Sequence, residues 1–340
     1  MHCDGDMPPG ERPMTKAHSH HELRQVSTSR KFRFGVQLNW AASAEEFCAR
    51  ARRAEDLGYA TFTVADHLDR QYACLPAVLA AGLATQSIRV GPHVLANDYK
   101  HPVVLAKELA TADVLLGGRV QVGIGAGWLR DDYLRSGIPF DPAGSRIARL
   151  EESLTVLKGL WSGDSFSFRG DHYQIDMMEG FPTPVQKPHP PIMIGAGGKR
   201  MLGLAARHAD IINISVNQSA GVRDVAAVMS GDVNQAAGIN QQRIEWIRDA
   251  AGERFDEIEL GAMCFVVPTK DRHAVVRERA QMFGIAERDL LDSPQWLIGS
   301  PAEMVDDLLR RRDELGISYV IFFDDMKEQM APIVEELAGK

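Results

Sequence analysis

What this sequence lacks excludes several classes of protein. Its four cysteines, at Cys3, Cys48, Cys74 and Cys264, form no close pair, so the sequence has neither a disulfide framework nor a zinc-binding spacing. No apolar run is long enough to span a bilayer, and the net charge of −8 leaves no excess of basic residues to bind nucleic acid or a membrane surface. We therefore expect a cytoplasmic protein whose partner is a small-molecule substrate.

Motifs of several enzyme classes are absent as well. The first predicted strand carries Gln37 and Asn39 in place of His-x-His, which disfavours a metal-dependent hydrolase, and we predict no metal site. The sequence has no Gly-x-Ser-x-Gly elbow, and Lys270 is the one lysine placed as a candidate Schiff base. Serine hydrolase and aldolase chemistry are therefore disfavoured.

The amino-terminal segment differs in character from the rest of the chain. Residues 1–30 are polar, contain three prolines and a cluster of three histidines, and lack the apolar core of a signal peptide. This composition favours a disordered tail over an adventitious metal-binding segment. We predict a disordered tail over residues 1–30 and a single domain over residues 31–340.

Eight short strands rich in valine, isoleucine and phenylalanine alternate with helices in that domain. The predicted strands are 32–40, 61–65, 88–95, 119–124, 192–194, 211–216, 260–267 and 319–323. Such strands are typical of a parallel sheet buried on both faces, and eight of them close a barrel. An open doubly wound sheet would need glycine at its first strand–helix turn, and Asn39–Ser43 has none. The predicted fold class is therefore α/β, a (β/α)₈ TIM barrel.

Two insertions interrupt this alternation, after strands 4 and 6. The first contains a predicted helix over residues 146–160 and a predicted hairpin over residues 165–175, whose side chains alternate around a Gly-Asp turn. The second, residues 217–242, is rich in glycine, serine, asparagine and glutamine. Long loops at the carboxyl ends of barrel strands usually cover a site, so we expect both insertions to line or cap the pocket.

Reactive side chains of a parallel barrel lie just past its strands. The second strand ends in Asp66-His67, where the histidine can act as a general acid or base and the aspartate can fix its tautomer. A helix-capping aspartate beside a structural histidine is the alternative.

The third strand contains Pro92, which predicts a bulge, and Asn97 after it can hydrogen-bond the edge of a heterocycle.

Alternate glycines end the fourth strand. Gly123, Gly125 and Gly127 precede Trp128, and their spacing lets either a flat ligand or another backbone segment approach closely. Trp128 can then wall an aromatic ligand or pack at a barrel corner. The residues leave both pairs of alternatives open.

A second glycine run ends the fifth strand. Gly195, Gly197 and Gly198 lead directly into Lys199-Arg200 at the start of a predicted helix. Free backbone N–H groups, a helix dipole and two cations meet there, so a phosphate site is favoured over a plain turn.

With these motifs, the chain resembles the bacterial luciferase-like family, and most closely its branch dependent on coenzyme F420, a deazaflavin. The resemblance runs from Phe32 to about Asp325 and rests on the order and spacing of several motifs. They are Arg53-Ala-Glu-Asp-Leu-Gly-Tyr59, Asp66-His67, Asn97-Asp-Tyr-Lys-His-Pro102, Gly117-Gly-Arg119, Gly123-Ile-Gly-Ala-Gly-Trp128, Gly137-Ile-Pro-Phe140 and Pro191-Ile-Met-Ile-Gly-Ala-Gly-Gly198.

The resemblance implies a TIM barrel, usually a homodimer, with the cofactor across its carboxyl face. The tricyclic ring would rest on the third-strand bulge, with a non-proline cis peptide at His93–Val94, and the phosphate would bind Gly197 and Gly198. His67, with Asp66, stands where F420-dependent sugar-phosphate dehydrogenases carry their catalytic histidine. The candidate cofactor-binding residues are therefore His93, Val94, Asn97, Gly125, Gly127, Trp128, Gly195, Gly197 and Gly198.

Three functions are compatible with these residues. The first is hydride transfer between F420 and an unidentified organic substrate, with His67 moving the proton. The second is an FMN-dependent monooxygenase that uses dioxygen and receives reduced flavin from a separate reductase. The third, a non-catalytic flavin-binding protein, is disfavoured by Asp66-His67. Those sugar dehydrogenases carry glutamate where this chain has Trp128, so a sugar-phosphate substrate is not indicated.

Overall fold

The fold is built on parallel strands that wrap into a nearly closed barrel. The computed structural model describes residues 30–215 and 238–340, so most of the predicted tail and of the second insertion lies outside the described residues. The strands are β1 Arg33–Gln37, β2 Thr61–Val64, β3 Arg89–Pro92, β4 Leu95–Ala96, β5 Val122–Gly125, β6 Ser165–Arg169, β7 Gln174–Glu179, β8 Ile192–Ala196, β9 Ile211–Ile214, β10 Glu259–Pro268, β11 Trp296–Gly299 and β12 Ile317–Phe323.

The pairing of these strands confirms the predicted TIM barrel. Their order is β3-β2-β1-β12-β10-β9-β8-β5-β4, and every one of these pairs is parallel. Segments β3 and β4 are two parts of the third barrel strand, interrupted at His93 and Val94, and a bridge between Val90 and Val120 also joins this strand to the chain entering β5. Eight barrel positions are therefore filled, as the sequence predicts.

Helices on the outside of the barrel cover the sheet. They are α1 Ala44–Asp56, α2 Cys74–Ala84, α3 Pro102–Leu115, α4 Arg130–Ser136, α5 Ala143–Trp161, α6 Lys199–His208, α7 Ile239–Ala251, α8 Arg272–Phe283, α9 Glu287–Asp292, α10 Pro301–Leu315 and α11 Lys327–Leu337. Short 3₁₀ turns occupy Asn97–Tyr99, Gly252–Glu257 and Asp324–Met326. Within the described residues, no helix combines the length and apolar character that crossing a membrane requires.

Local sequence signals explain where the outer helices begin and end. Ser43 caps α1 by accepting a hydrogen bond from the Glu46 N–H at 3.1 Å, which satisfies an amide that the first helical turn leaves free. Helix α10 begins with a capping box formed by Ser300 and Glu303 and stops at Gly316, whose φ of 74° suits glycine.

Two stretches contain elements that the sequence analysis did not predict. The first predicted insertion does contain helix α5 and the β6–β7 hairpin, and the short helix α4 precedes them. A further insertion, which the sequence analysis did not predict, carries α8, α9 and β11 between the seventh and eighth barrel strands. Strand β11 pairs with the far end of β10, from Phe265 to Pro268, and so extends the sheet beyond the barrel rim.

A polar layer closes the amino-terminal end of the barrel interior. The Arg33 guanidinium forms a salt bridge of 2.5 Å with Glu259 and stacks over the ring of Tyr319, whose centroid is 4.0 Å away. The Tyr319 hydroxyl lies 2.6 Å from Thr61 Oγ1 and accepts from the Gln121 amide at 3.3 Å. Because these groups satisfy one another, the barrel is filled at this end, and open space is left at the carboxyl end.

Candidate active site

A cavity of about 480 Å³ opens at the carboxyl ends of the barrel strands. His67 and Asp66 line it after β2, and Gly197 and Gly198 line it after β8. The predicted acid–base residues and the predicted phosphate site therefore open into the same space. A volume of this size is typical of small-molecule and cofactor sites.

Most of the predicted site residues line this cavity. Those that line the cavity are Asp66, His67, His93, Val94, Gly125, Gly127, Trp128, Gly195, Gly197 and Gly198. Asn97 is the exception, because the 3₁₀ turn after β4 directs its buried side chain toward the hairpin, where its amide nitrogen lies 3.5 Å from the Tyr173 hydroxyl. The structure thus places Asn97 behind the wall, contrary to its predicted contact with a heterocycle.

The third barrel strand is broken by a cis peptide bond between His93 and Val94, which confirms the expectation from the family resemblance. Val94 packs against glycines of two neighbouring strands. A Cβ added to Gly125 would lie 3.0 Å from a Val94 methyl group, and one added to Gly195 would lie 3.7 Å from it. Gly125 therefore leaves space that Val94 needs at the cavity wall, whereas a Cβ at Gly195 would make an ordinary van der Waals contact with it.

The contacts of the glycines in the fourth barrel strand show which of them allow another chain segment to approach and which face the cavity. A Cβ on Gly123 would lie 2.1 Å from the carbonyl oxygen of Pro92, so this glycine allows another backbone segment to approach. Gly127 has a φ of 77° and packs against the Tyr133 hydroxyl. Packing explains both positions, while Gly125 and Gly127 also face the cavity.

His93 is held between two side-chain amides. Its Nδ1 lies 2.6 Å from Gln37 Oε1, and its Nε2 lies 2.8 Å from the Asn213 amide nitrogen. Because that nitrogen can only donate, Nε2 must accept and the ring is neutral with its proton on Nδ1. Burial lowers the pKa of His93 to about 4, which keeps it uncharged at neutral pH. His93 is therefore a fixed neutral group in the wall.

His67 is oriented by a carboxylate that the sequence analysis did not single out. Its Nδ1 lies 2.8 Å from Oδ2 of Asp132, and the Tyr99 hydroxyl donates to the same oxygen at 3.1 Å. Asp66 instead accepts a hydrogen bond from the backbone N–H of Ala96 at 3.1 Å, which ties the end of β2 to β4. The structure thus gives Asp132 the orienting role that was predicted for Asp66.

The geometry leaves one nitrogen of His67 for chemistry. Nδ1 is occupied by Asp132, and Nε2 has no hydrogen-bond partner within residues 30–215 and 238–340. The indole of Trp128 stands edge-on to the imidazole, with ring centroids 5.2 Å apart and planes at 90°. Trp128 thus packs against His67 and shields one side of its imidazole.

The electrostatics of the two aspartates differ. Burial alone would raise the pKa of Asp132, but the hydrogen bonds from His67 and Tyr99 and the charge of His67 outweigh it and lower that pKa. Burial dominates at Asp66 and raises its pKa, against the opposing effects of the Ala96 N–H and of His67. Asp132 is therefore the better anion to stabilise a protonated imidazole.

The start of α6 provides a place for an anion. Gly198 is the N-cap and supplies no side chain to cap the first turn, so a ligand can meet the free amides. Lys199 and Arg200 follow in that turn, are exposed and line the cavity. The buried Arg243 donates from Nε to the carbonyl of Gly197 at 3.2 Å and holds the loop in place.

Sequence reasoning missed Asp132, which stands in no recognisable motif, and Tyr99, which belongs to the motif of residues 97–102 but was assigned no role there. Asp132 is one of two adjacent acidic residues in the short helix α4, where a solvated charge is the ordinary case. It reaches His67 across 65 residues because the chain turns at Gly127 from β5 toward α4. A glance at strand ends alone does not reveal a partner contributed by a helix.

Comparisons with known proteins agree on one family. Residues 25–315 match the family model described as luciferase-like monooxygenase. The chain is 32% identical over 162 residues to an FMNH₂-dependent dimethylsulfone monooxygenase of Pseudomonas putida, which covers 48% of this chain and 44% of that protein. It is 31% identical over 191 residues to an F420-dependent glucose-6-phosphate dehydrogenase of Amycolatopsis mediterranei, covering 52% of this chain and 56% of that protein.

These matches are partial in length and complete in fold. The chain spans about half the length of the two curated relatives it matches. A coenzyme F420-dependent tetrahydromethanopterin reductase from Methanopyrus kandleri superposes with a TM-score of 0.70 at 19% identity, covering 91% of this chain and 99% of that one. At this level of identity the likeness shows the shared barrel alone.

Proposed function

Because the chain belongs to the luciferase-like monooxygenase family, we propose that it is an oxidoreductase that transfers a hydride between coenzyme F420 and an organic substrate. The observation that carries the proposal is that one cavity brings together an oriented histidine, a glycine-lined wall and the amino terminus of α6. The two curated relatives support a flavin or deazaflavin cofactor, since the name of one specifies FMNH₂ and that of the other F420.

The wall residues fit a flat, phosphorylated ring system. Val94 offers an apolar surface, and a side chain in place of Gly125 would crowd it at 3.0 Å. Gly197, Gly198 and the first turn of α6 suit a phosphate, because free amides and the helix dipole favour an anion there. When bound, F420 supplies a deazaflavin ring whose C5 carbon takes up or releases a hydride.

The chain's own residues handle the proton that accompanies the hydride. Nε2 of His67 donates or accepts it, and Asp132 holds the opposite nitrogen and stabilises the charged imidazolium. Tyr99 fixes Asp132 by a second hydrogen bond. Hydrogen bonds to a charged group contribute about 1.5–3 kcal/mol each, so this pair can hold the ring in one orientation. Trp128 excludes water from one side of the imidazole.

A second candidate is an FMN-dependent monooxygenase that receives reduced flavin from a separate reductase. It is favoured by the similarity to the dimethylsulfone monooxygenase. Trp128, which stands where F420-dependent sugar dehydrogenases carry glutamate, fits this candidate and the wider F420-dependent group equally well. The same wall and the same α6 site would hold FMN, because both cofactors present a tricyclic ring and a phosphate. The third alternative, a storage protein, is disfavoured because the His67–Asp132 pair suits acid–base chemistry.

Titration of the purified apoprotein with F420 and with FMN tests the proposal directly. Binding of F420 at least about tenfold tighter than FMN, a difference of about 1.4 kcal/mol, supports the hydride-transfer function. The reverse preference favours the monooxygenase. A protein that binds neither cofactor would overturn both candidates.

We further propose that the protein forms a homodimer. Leu83 on α2 and Val104 and Leu115 on α3 are apolar side chains that are more than half exposed, with exposed fractions of 64%, 51% and 57%. Apolar exposure on neighbouring outer helices is typical of a surface covered by a second copy. Sedimentation equilibrium at micromolar concentration tests this, and a monomer at every concentration would overturn it.

A further inference from the structure

The side of the cavity formed by β10, β11 and β12 carries a cluster of aromatic rings. Phe265, Trp296 and Phe323 all line the cavity there. The Phe265 ring centroid lies 5.4 Å from that of Trp296 and 5.4 Å from that of Phe323, so the three rings make one continuous surface. We call this surface, made of Phe265, Trp296 and Phe323, the aromatic wall.

The aromatic wall is held from behind by buried groups. Arg311, only 2% exposed, donates hydrogen bonds to the backbone carbonyl of Trp296 and, at 3.5 Å, to that of Pro294. The ring of Phe283 on α8 packs on Trp296 with centroids 5.5 Å apart. The insertion between the seventh and eighth barrel strands therefore serves to fix a tryptophan at the cavity wall.

Charged groups of the cavity lie on its other sides. Lys199 and Arg200 belong to α6, and Asp66 follows β2. Among the described residues that line the cavity, those contributed by β10, β11, β12 and the loop before β11 carry no charge. Gln295, the polar residue on this side, already donates to the Ile214 carbonyl at 2.9 Å and accepts from the Ser293 hydroxyl at 3.1 Å.

This asymmetry bears on which substrates the cavity accepts. An anionic group moved against the aromatic wall would lose its hydration, gain no ionic partner and meet the negative faces of the rings, which is unfavourable. An apolar group placed there gains contact area chiefly with the half-buried rings of Phe265 and Phe323, because Trp296 is only 3% exposed and packs beside them. The wall therefore discriminates by charge as well as by shape.

We propose that the aromatic wall determines specificity, and that the substrate presents an uncharged apolar group, such as a ring or a branched hydrocarbon, to Phe265, Trp296 and Phe323. This inference rests on the proposed function, because it assigns the substrate class of the same site. It excludes substrates whose phosphate or carboxylate must lie on this side of the cavity.

A matched pair of probes tests the proposal by binding alone. The secondary alcohols 1-phenylethanol and mandelate share a phenyl ring and differ in a methyl group against a carboxylate. Saturation-transfer NMR titrations of both probes are run on the full chain saturated with F420 or with FMN, so that the cofactor phosphate occupies the α6 anion site and the mandelate carboxylate cannot bind there. The titration with 1-phenylethanol is repeated on the cofactor-free chain. We expect 1-phenylethanol to bind at least about tenfold tighter than mandelate, as is typical when a charged group lacks a partner.

Variants locate the effect at the aromatic wall. Phe265→Leu and, independently, Phe323→Leu should weaken 1-phenylethanol binding about three- to tenfold while leaving cofactor affinity unchanged. Contrary to the sequence prediction, the hairpin of residues 165–175 contributes no residue to the cavity lining. Phe168→Leu in this hairpin, at a partly buried phenylalanine, is therefore the matched control and should change nothing. Thermal melting of each variant shows whether weaker binding results from unfolding. If one wall variant is unfolded, the binding affinity of the other tests the proposal.

The outcomes separate this inference from the function on which it rests. Mandelate binding as tightly as 1-phenylethanol, or wall variants that behave like the hairpin control, would overturn the role of the aromatic wall even if F420 binds. Failure to bind either cofactor would overturn the proposed function, while the effect of the wall variants on 1-phenylethanol binding to the cofactor-free chain would still report on the wall.

Discussion

Two histidines reach the same cavity from neighbouring barrel strands, and their surroundings are opposite in character. His67 contacts the carboxylate of Asp132, whereas His93 contacts the neutral amides of Gln37 and Asn213. An anionic partner stabilises an imidazolium, and two amides in a buried setting stabilise a neutral ring. The hydrogen-bond partners of a histidine, more than its position at a strand end, therefore decide whether it can move protons.

The largest effect is expected from removing the histidine that has the carboxylate partner. His67→Ala should lower turnover by about 10²–10⁴-fold, since a positioned general acid or base contributes that much. Cofactor affinity, measured by titration, should stay the same, because other residues form the phosphate site. His101→Ala, at an exposed histidine that caps α3, is the control. Turnover that survives His67→Ala would end the assignment of His67 as the proton-transfer group.

The opposite result is expected at His93, where the main effect should be on stability. His93→Ala leaves the Gln37 oxygen and the Asn213 amide without their partner inside the barrel. Each unsatisfied buried group is unfavourable by about 1–3 kcal/mol, so we expect the free energy of unfolding to fall by about 2–4 kcal/mol. Urea denaturation measures it. Unchanged stability together with lost turnover would reverse the comparison.

A dependence of stability on pH should accompany His93. Its pKa is about 4 in the folded chain and 6.5 in the unfolded reference, so the unfolded chain binds the extra proton first as pH falls. The contribution of His93 is therefore present above pH 6.5 and is lost on acidification toward pH 4, by at most about 3 kcal/mol. Unfolding curves of the wild type and His93→Gln between these pH values isolate it. Parallel pH profiles for the two proteins would contradict the buried neutral ring.

The barrel itself could be predicted because its signals are local. Alternating strands and helices, Ser43 and Ser300 before helices, and glycines after them mark elements within a few residues. The same locality made the α6 amino terminus readable from Gly198-Lys199-Arg200. The cis bond at His93–Val94 was implied by family resemblance, since nothing in the dipeptide itself indicates it.

The remainder could not be predicted because it depends on contacts between distant parts of the chain. Asp132 meets His67, Asn213 meets His93 across 120 residues, and Trp296 reaches the cavity from an unpredicted strand. Short apolar runs such as Trp296–Gly299 do not distinguish strand from helix. Asn97 failed for a related reason, because one 3₁₀ turn decides which way its side chain points. The strand ends that form the cavity rim could therefore be predicted, whereas long-range packing determines which side chains contact each other there.

A smaller effect is expected from the aspartates near His67, and it identifies which of them assists this histidine. Asp132→Asn keeps an oxygen that can accept from Nδ1 but removes the charge, so we expect turnover to fall about 10–100-fold with unchanged cofactor affinity. Asp132→Glu, which retains the charge, should recover part of that loss. Asp66→Asn keeps an acceptor for the Ala96 N–H and should leave turnover within about threefold of wild type, within the usual range for a neutral change. Steady-state rates of the three variants decide between the two carboxylates. If Asp66→Asn proves as damaging as Asp132→Asn, Asp66 is the aspartate that assists His67. The hydrogen bond between His67 and Asp132 of α4 would then anchor the loop without supplying charge to the imidazole.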